Sequence, residues 1–189
     1  MSNLRVITPP TVEPVSVETA KVFLRVDISD DDALIGALIK GARETGEELA
    51  RRAFLTQTLE MILDDWPPNL MLGLMRPPLQ SVVSVKYYDE NNVEATWTDY
   101  TVDARSEPGR IHFNSVPGTS LAESGGVVVR YIAGYGDAPS DVPERLTRAI
   151  LSLAAYWYEN RETVNIGNIV NEMPMGAKQA FIGERATWF

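Results

Sequence analysis

Few side chains in this sequence are of types that carry out chemistry, and their spacing decides which of them can act together. His112 is the only histidine. It falls inside an apparent strand, with no motif that pairs it to a nucleophile. Asp64-Asp65 and Asp30-Asp31-Asp32 are the carboxylate groups that a glycosidase or a metal-dependent nuclease would need. Adjacent strand residues point to opposite faces, so Asp64 and Asp65 are badly placed to share one substrate. The aspartate triplet opens a helix, where carboxylates complement the macrodipole without any metal. Gly134-Tyr135-Gly136 follows a strand but leads into neither a phosphate-loop lysine nor a helix-opening third glycine, so it reads as a structural turn. The absence of cysteine removes disulfides, thiolate metal sites and thiol catalysis together. These residues assign no catalytic, metal or cofactor site, and the chain reads as a non-enzyme. A small carboxylate-dependent enzyme is the alternative from another class.

The elements that would hold these residues follow from periodicity. Pro9, Pro10 and Pro14 make residues 1–15 an extended N-terminal arm. Ser16 is placed to cap a short helix from Val17 to about Arg25. Ser29 is placed to cap a second, from about Asp30 to Ala53, with Asp32 three positions on. In that helix Leu34, Ile35, Leu38, Ile39, Ala42, Gly46, Leu49 and Ala53 share an apolar face. Lys40, Arg43, Glu44, Glu47, Glu48 and Arg51 occupy the other. From Gln57 the period falls to two. Leu59, Met61 and Leu63, then Val83, Val85 and Tyr87, alternate as half-buried strands, and Asp89-Glu90-Asn91-Asn92 is the turn of a hairpin. Further strands are expected at Tyr100–Asp103, Arg110–Phe113 and Val127–Ala133. The expected fold class is α+β: a helical bundle of N- and C-terminal helices (16–55 and 142–162) with a small antiparallel sheet inserted at 57–133. Together these make one domain, 16–163, followed by a tail, 164–189.

The C-terminal helix, expected to be capped by Asp141, carries three consecutive rings, Tyr156-Trp157-Tyr158. Successive helical residues point about 100° apart, so the three cannot share one face. Leu146, Ile150, Leu153 and Trp157 form the buried stripe, with Arg148, Ala155 and Glu159 outside it. Tyr156 and Tyr158 sit on its two borders, as rim packing or as contacts to neighbouring subunits. In the tail, residues 166–176 have no clean period, while Lys178–Gly183 suits a short helix. The tail's Ile166, Ile169, Met173, Met175, Phe181, Trp188 and Phe189 need cover, which its own domain or a partner could supply, and a partner is favoured.

No run of residues is apolar enough for a membrane span, and the first ten residues lack the plan of a signal peptide. The formal net charge of −9 opposes gripping nucleic acid through its phosphates.

Several segments together resemble phage head–tail connector (adaptor) proteins. They are Pro14-Val15-Ser16, Ala20-Lys21, Leu24-Arg25-Val26-Asp27 and Asp31-Asp32-Ala33-Leu34-Ile35, then Ala42-Arg43 and Arg52-Ala53-Phe54-Leu55-Thr56-Gln57-Thr58. The likeness returns in Val129-Arg130-Tyr131-Ile132-Ala133-Gly134-Tyr135-Gly136, in Val142-Pro143-Glu144 and in Trp157-Tyr158-Glu159-Asn160-Arg161-Glu162. It covers both helical ends, while the strand-rich middle departs from the smaller, almost wholly helical connectors. The resemblance implies a structural virion protein of a tailed phage or a phage-derived gene transfer agent, made in the bacterial host cytoplasm and placed in the particle neck. It implies a ring of copies, usually a dodecamer, that joins the capsid portal to a tail-side completion or stopper protein. DNA would pass through that ring without specific binding, and no membrane or cofactor is involved. Tyr156 and Tyr158 would then meet neighbouring subunits, and the tail would dock on the portal. Another neck or tail-completion protein of the same particle is the alternative.

Overall fold

The computed structural model describes residues 2–160 and 173–187. Among them are four helices and two antiparallel sheets, a mixed α+β chain. The chain forms two compact units. A strand unit takes the residues up to Pro10, Thr56–Tyr135, and Ala186 with Thr187. A helical unit takes Thr11–Leu55 and Gly136–Arg185.

In the strand unit the larger sheet has the order β1-β2-β8-β4-β5, with β1 at Ser2–Thr8, β2 at Gln57–Leu63, β4 at Leu79–Tyr88, β5 at Glu94–Trp97 and β8 at Val127–Ala133. The period-two pattern is plainest in β8, where Val127, Val129, Tyr131 and Ala133 are buried and Arg130 is exposed. Across from it Leu59 faces Tyr131 and Met61 faces Val129, which makes this the unit's core layer. Burial raises the pKa of the Tyr131 hydroxyl, and that hydroxyl donates to the Met75 carbonyl at 2.7 Å. A smaller sheet, β3-β7-β6, is built from Met71–Gly73 (β3), Tyr100–Asp103 (β6) and Arg110–Phe113 (β7). Trp66, Tyr87, Trp97 and Phe113 form an aromatic cluster, with Trp66 edge-on to Phe113 at 5.1 Å between ring centres.

Two expectations change in this unit. The expected arm is indeed extended, but residues 2–8 are an edge strand that pairs antiparallel with β2 from Ser2↔Leu63 to Thr8↔Thr58. Val83 was expected beside Val85 on the inner face, yet Val83 is exposed while Val85 is fully buried. A register shift between Val82 and Ser84 inserts an extra residue and turns Val83 outward. The hairpin turn stands as expected. Asp89 Oδ1 accepts from the amides of Asn91 and Val93, each at 2.9 Å.

The helical unit contains α1 (Val17–Leu24), α2 (Asp32–Ala50), α3 (Glu144–Glu159) and α4 (Met175–Gly183). Helix α2 packs on α3 and α4, α3 packs on α4, and α1 packs on α2 and α3. Ser16 caps α1 as its position predicts, accepting from the Thr19 amide at 3.1 Å. The other two predicted caps do not form. Helix α2 begins behind Asp31, with no side-chain cap bond. Asp141 instead closes a 3-10 turn at Pro139–Asp141, accepting from the Ala138 amide, and α3 starts behind Pro143. A side chain at Gly136 would strike the Asp141 carboxylate at 2.1 Å, so the turn requires glycine there.

Candidate assembly surfaces

The inner face of α2 is rotated relative to the pattern read from its sequence. Ile35, Ile39, Ala42, Arg43, Gly46, Glu47 and Ala50 are buried, whereas Leu34 is exposed. Arg43 and Glu47 were expected on the polar face, yet they are only 2% and 1% exposed. They form an i,i+4 pair in which Arg43 Nη1 donates to Glu47 Oε2 at 2.9 Å. Arg43 also donates through Nε and Nη2 to the two oxygens of Glu13 at 2.7 and 3.3 Å, which fastens the segment leading into α1. Glu47 Oε1 accepts from the Phe54 amide at 2.8 Å, satisfying the chain just past the helix. Burial by itself pulls the Arg43 pKa down. The hydrogen bond to Glu13 and the charges of Glu47, Glu13 and Glu44 outweigh it and carry the pKa up. The chemistry of this cluster is positioning.

Four of the five carboxylates considered for catalysis are likewise occupied. Asp31 accepts from the Tyr158 hydroxyl at 2.5 Å, and Asp32 accepts from Lys21 Nζ at 2.6 Å. Asp64 accepts from the Gly125 amide and Asp65 from the Trp66 amide. His112 is exposed on β7. Among the described residues no three His, Cys, Asp or Glu side chains gather as metal ligands, and no helix is long and apolar enough to cross a membrane.

The aromatic triplet is divided differently from the sequence reading. The buried face of α3 is Leu146, Ala149, Ile150, Leu153, Ala154 and Ala155. Trp157 is half-buried rather than a core anchor. It sits in the last turn, where a β-carbon placed on Gly41 would lie 3.4 Å from its ring edge. Ala155 is inside rather than outside, on a helix that packs against α1, α2 and α4. Tyr156 and Tyr158 are half-buried, and Tyr158 is tied by its hydroxyl to the start of α2 in the same chain.

The tail residues separate as well. Phe181 is fully buried, stacked on Phe54 with ring centres 6.2 Å apart, directly above Gly46. It is therefore a core residue of the helical unit in this fold, which corrects its expected place on a docking surface. Met175 is 69% exposed and Met173 is half-buried. Ile166, Ile169, Trp188 and Phe189 lie outside the described residues. An exposed apolar corner not anticipated from the sequence lies at α1, where Val22, Phe23 and Ile28 are 81%, 56% and 59% exposed. Its signal was available: two large apolar side chains adjacent in a short helix cannot both face inward.

No family profile and no curated protein matches the sequence. Solved structures do match in fold. A chain in "Neck of empty GTA particle computed with C6 symmetry" aligns with a TM-score of 0.79 and 23% identity, over 99% of this chain and 97% of the other. A chain in "Virion of native gene transfer agent (GTA) particle" aligns at 0.80 and 22%, over 98% and 96%. A chain in "Neck of native GTA particle computed with C12 symmetry" aligns at 0.74 and 22%, over 100% and 97%. The protein therefore shares its fold, across nearly its whole length, with chains of gene transfer agent particles.

Proposed function

We propose that this protein is a structural subunit of the particle neck, in which copies form a ring joining the capsid portal to the tail-side protein around the DNA exit channel. The observation that carries the reading is the likeness of fold over both whole chains, which reaches the strand unit as well as the helices. The sixfold and twelvefold symmetries of the neck structures that contain such chains support a ring, with a dodecamer the natural copy number. The side chains fit a part that does no chemistry, since Asp64 and Asp65 accept backbone amides, Asp31 accepts the Tyr158 hydroxyl and Asp32 pairs with Lys21. Tyr156 remains a proposed subunit contact, as does Tyr158 through its ring rather than its committed hydroxyl. Portal docking is assigned to Met175 and to the tail residues beyond the described ones. Mixing the full chain with its portal ring and measuring the mass of the product tests this. A stoichiometric complex with the portal is expected. A chain that binds the tail-side protein but never the portal is instead another neck component.

A further inference from the structure

Helices α2 and α3 run antiparallel, since Tyr158 near the end of α3 bonds Asp31 at the start of α2. The other two helices sit at opposite ends of this pair. Helix α1 meets α2 where Val17 lies 3.7 Å from the position of a β-carbon on Gly36. Helix α4 meets it ten residues on, where Phe181 covers Gly46, about 15 Å along the axis. Helix α4 also adjoins the start of α3, where Arg145 bonds the Gln179 carbonyl and pairs with Glu184.

The two ends are chemically unlike. The α1 end presents Val22, Phe23 and Ile28 to solvent. Its surroundings carry Glu18, Asp27, Asp30, Asp31 and Asp32 against Lys21 and Arg25. The α4 end holds a groove of about 550 Å³ between α3 and α4, floored by Ala149, Ala177 and Ala180 and rimmed by Arg145, Arg148 and Glu144. Lys178 and Arg185 add exposed positive charge beside it. An apolar corner with an acidic surround thus complements a small-residue groove with a basic rim.

We propose that the α1 corner of one copy seats in the α3–α4 groove of the next copy. The contact is heterologous: each subunit gives one surface and receives the other, the arrangement that closes rings. This deepens the neck-ring reading and rests on it. Phe23 and Val22 enter over the alanine floor. Asp27 and Asp30 approach Arg148 and Lys178. The exposed Arg148–Glu144 pair at 2.6 Å exchanges partners at little cost, as surface ion pairs contribute little.

The cysteine-free chain permits a direct test. Full-length Val22→Cys and Gln179→Cys proteins, each shown separately to form rings by mass alone or on the portal, are mixed before assembly, allowed to form rings and treated with a short bismaleimide. Cross-linked heterodimer should exceed either homodimer at least tenfold. Adding Arg148→Glu to the Gln179→Cys chain should reduce it at least fivefold, and Asp27→Arg in the other chain should restore it. Rings of normal mass without heterodimer would overturn the paired surfaces and leave the neck reading standing. A Gln179→Cys thiol protected from maleimide in the monomer would also overturn them, because the chain's own residues would then fill the groove. Failure to form rings even with the portal would sink the neck reading and this contact together.

Discussion

Arg43 lies at 2% exposure with four donor contacts to three glutamates, so its removal leaves Glu47 charged and buried. Arg43→Ala should cost about 3–5 kcal/mol, read as a shift in denaturant midpoint. Lys40→Ala, at an exposed position on the same helix, should fall within about 0.5 kcal/mol. Gly46 offers a second test. A β-carbon there would lie 2.6 Å from the Phe181 ring and 2.9 Å from the Phe54 ring, and both rings are fully buried. Gly46→Ala should therefore destabilise the protein by about 1–3 kcal/mol despite alanine's better helix propensity. Combined with Phe181→Leu, the cost should be less than the sum of the two, since they share one contact. The glycine's close approach was legible in the sequence, because a glycine inside an apolar helical face needs a reason. Burial of Arg43 and Glu47 was not legible. Their i,i+4 spacing serves a solvated face equally well, and only the return of Glu13 distinguishes the two.

Two carboxyls give a pH dependence whose sign can be fixed. The Ser115 hydroxyl and the Asn114 amide hold the Asp99 pKa below its ordinary value. The Ser106 hydroxyl and backbone amide do the same for Asp103. A carboxyl whose folded pKa is depressed contributes stability above its unfolded value, near 3.9. That contribution is lost as pH falls through the folded pKa. Stability should thus decline below about pH 4 in a urea series. Asp99→Asn with Asp103→Asn should flatten the part of the decline that these loops cause.

At the scale of elements, α4 shows how a tail becomes part of a core. Its Ala177, Ala180 and Phe181 fall at helical spacing and are buried against α2 and α3. Phe181→Ala should cost about 3–5 kcal/mol in thermal or denaturant unfolding. Met175→Ala, at a 69% exposed position, should change stability by less than about 0.5 kcal/mol and act only on assembly. Equal losses at the two positions would contradict this division of the helix into an inner and an outer side. The short helix was visible in composition, but its partner was not, because nothing local marks Gly46 and Phe54 as a seat for a ring more than a hundred residues away. Strand β1 escaped notice for the opposite reason. Its side chains from Arg5 to Thr8 are exposed, so the alternation that betrays a half-buried strand is missing, and backbone pairing with β2 alone defines it.

For the whole molecule, the strand-rich middle that departs from small helical connectors is matched along its length by chains of the particle structures. The fold shared with those chains therefore includes the sheets as well as the helices. The sheets could not announce this themselves, because alternating Val, Tyr and Thr are common to every small antiparallel sheet. Charge is the property that belongs to the molecule as a whole. A subunit around a DNA channel should not hold the duplex, because each phosphate contact made by Lys or Arg releases counterions and retards passage. With a net charge of −9, the full chain should give no mobility shift with a short duplex at about 150 mM salt, even at tens of micromolar. A salt-sensitive shift at lower concentration would reveal a concentrated basic stripe. Since Arg145, Arg148 and Lys178 form the positive surface assigned above to the next subunit, their triple glutamate variant should abolish any such shift in free monomers. If the proposed contact covers that surface in assembled rings, any residual duplex binding by monomers should fall on assembly. A rise in binding on assembly would place the basic residues on the channel wall instead.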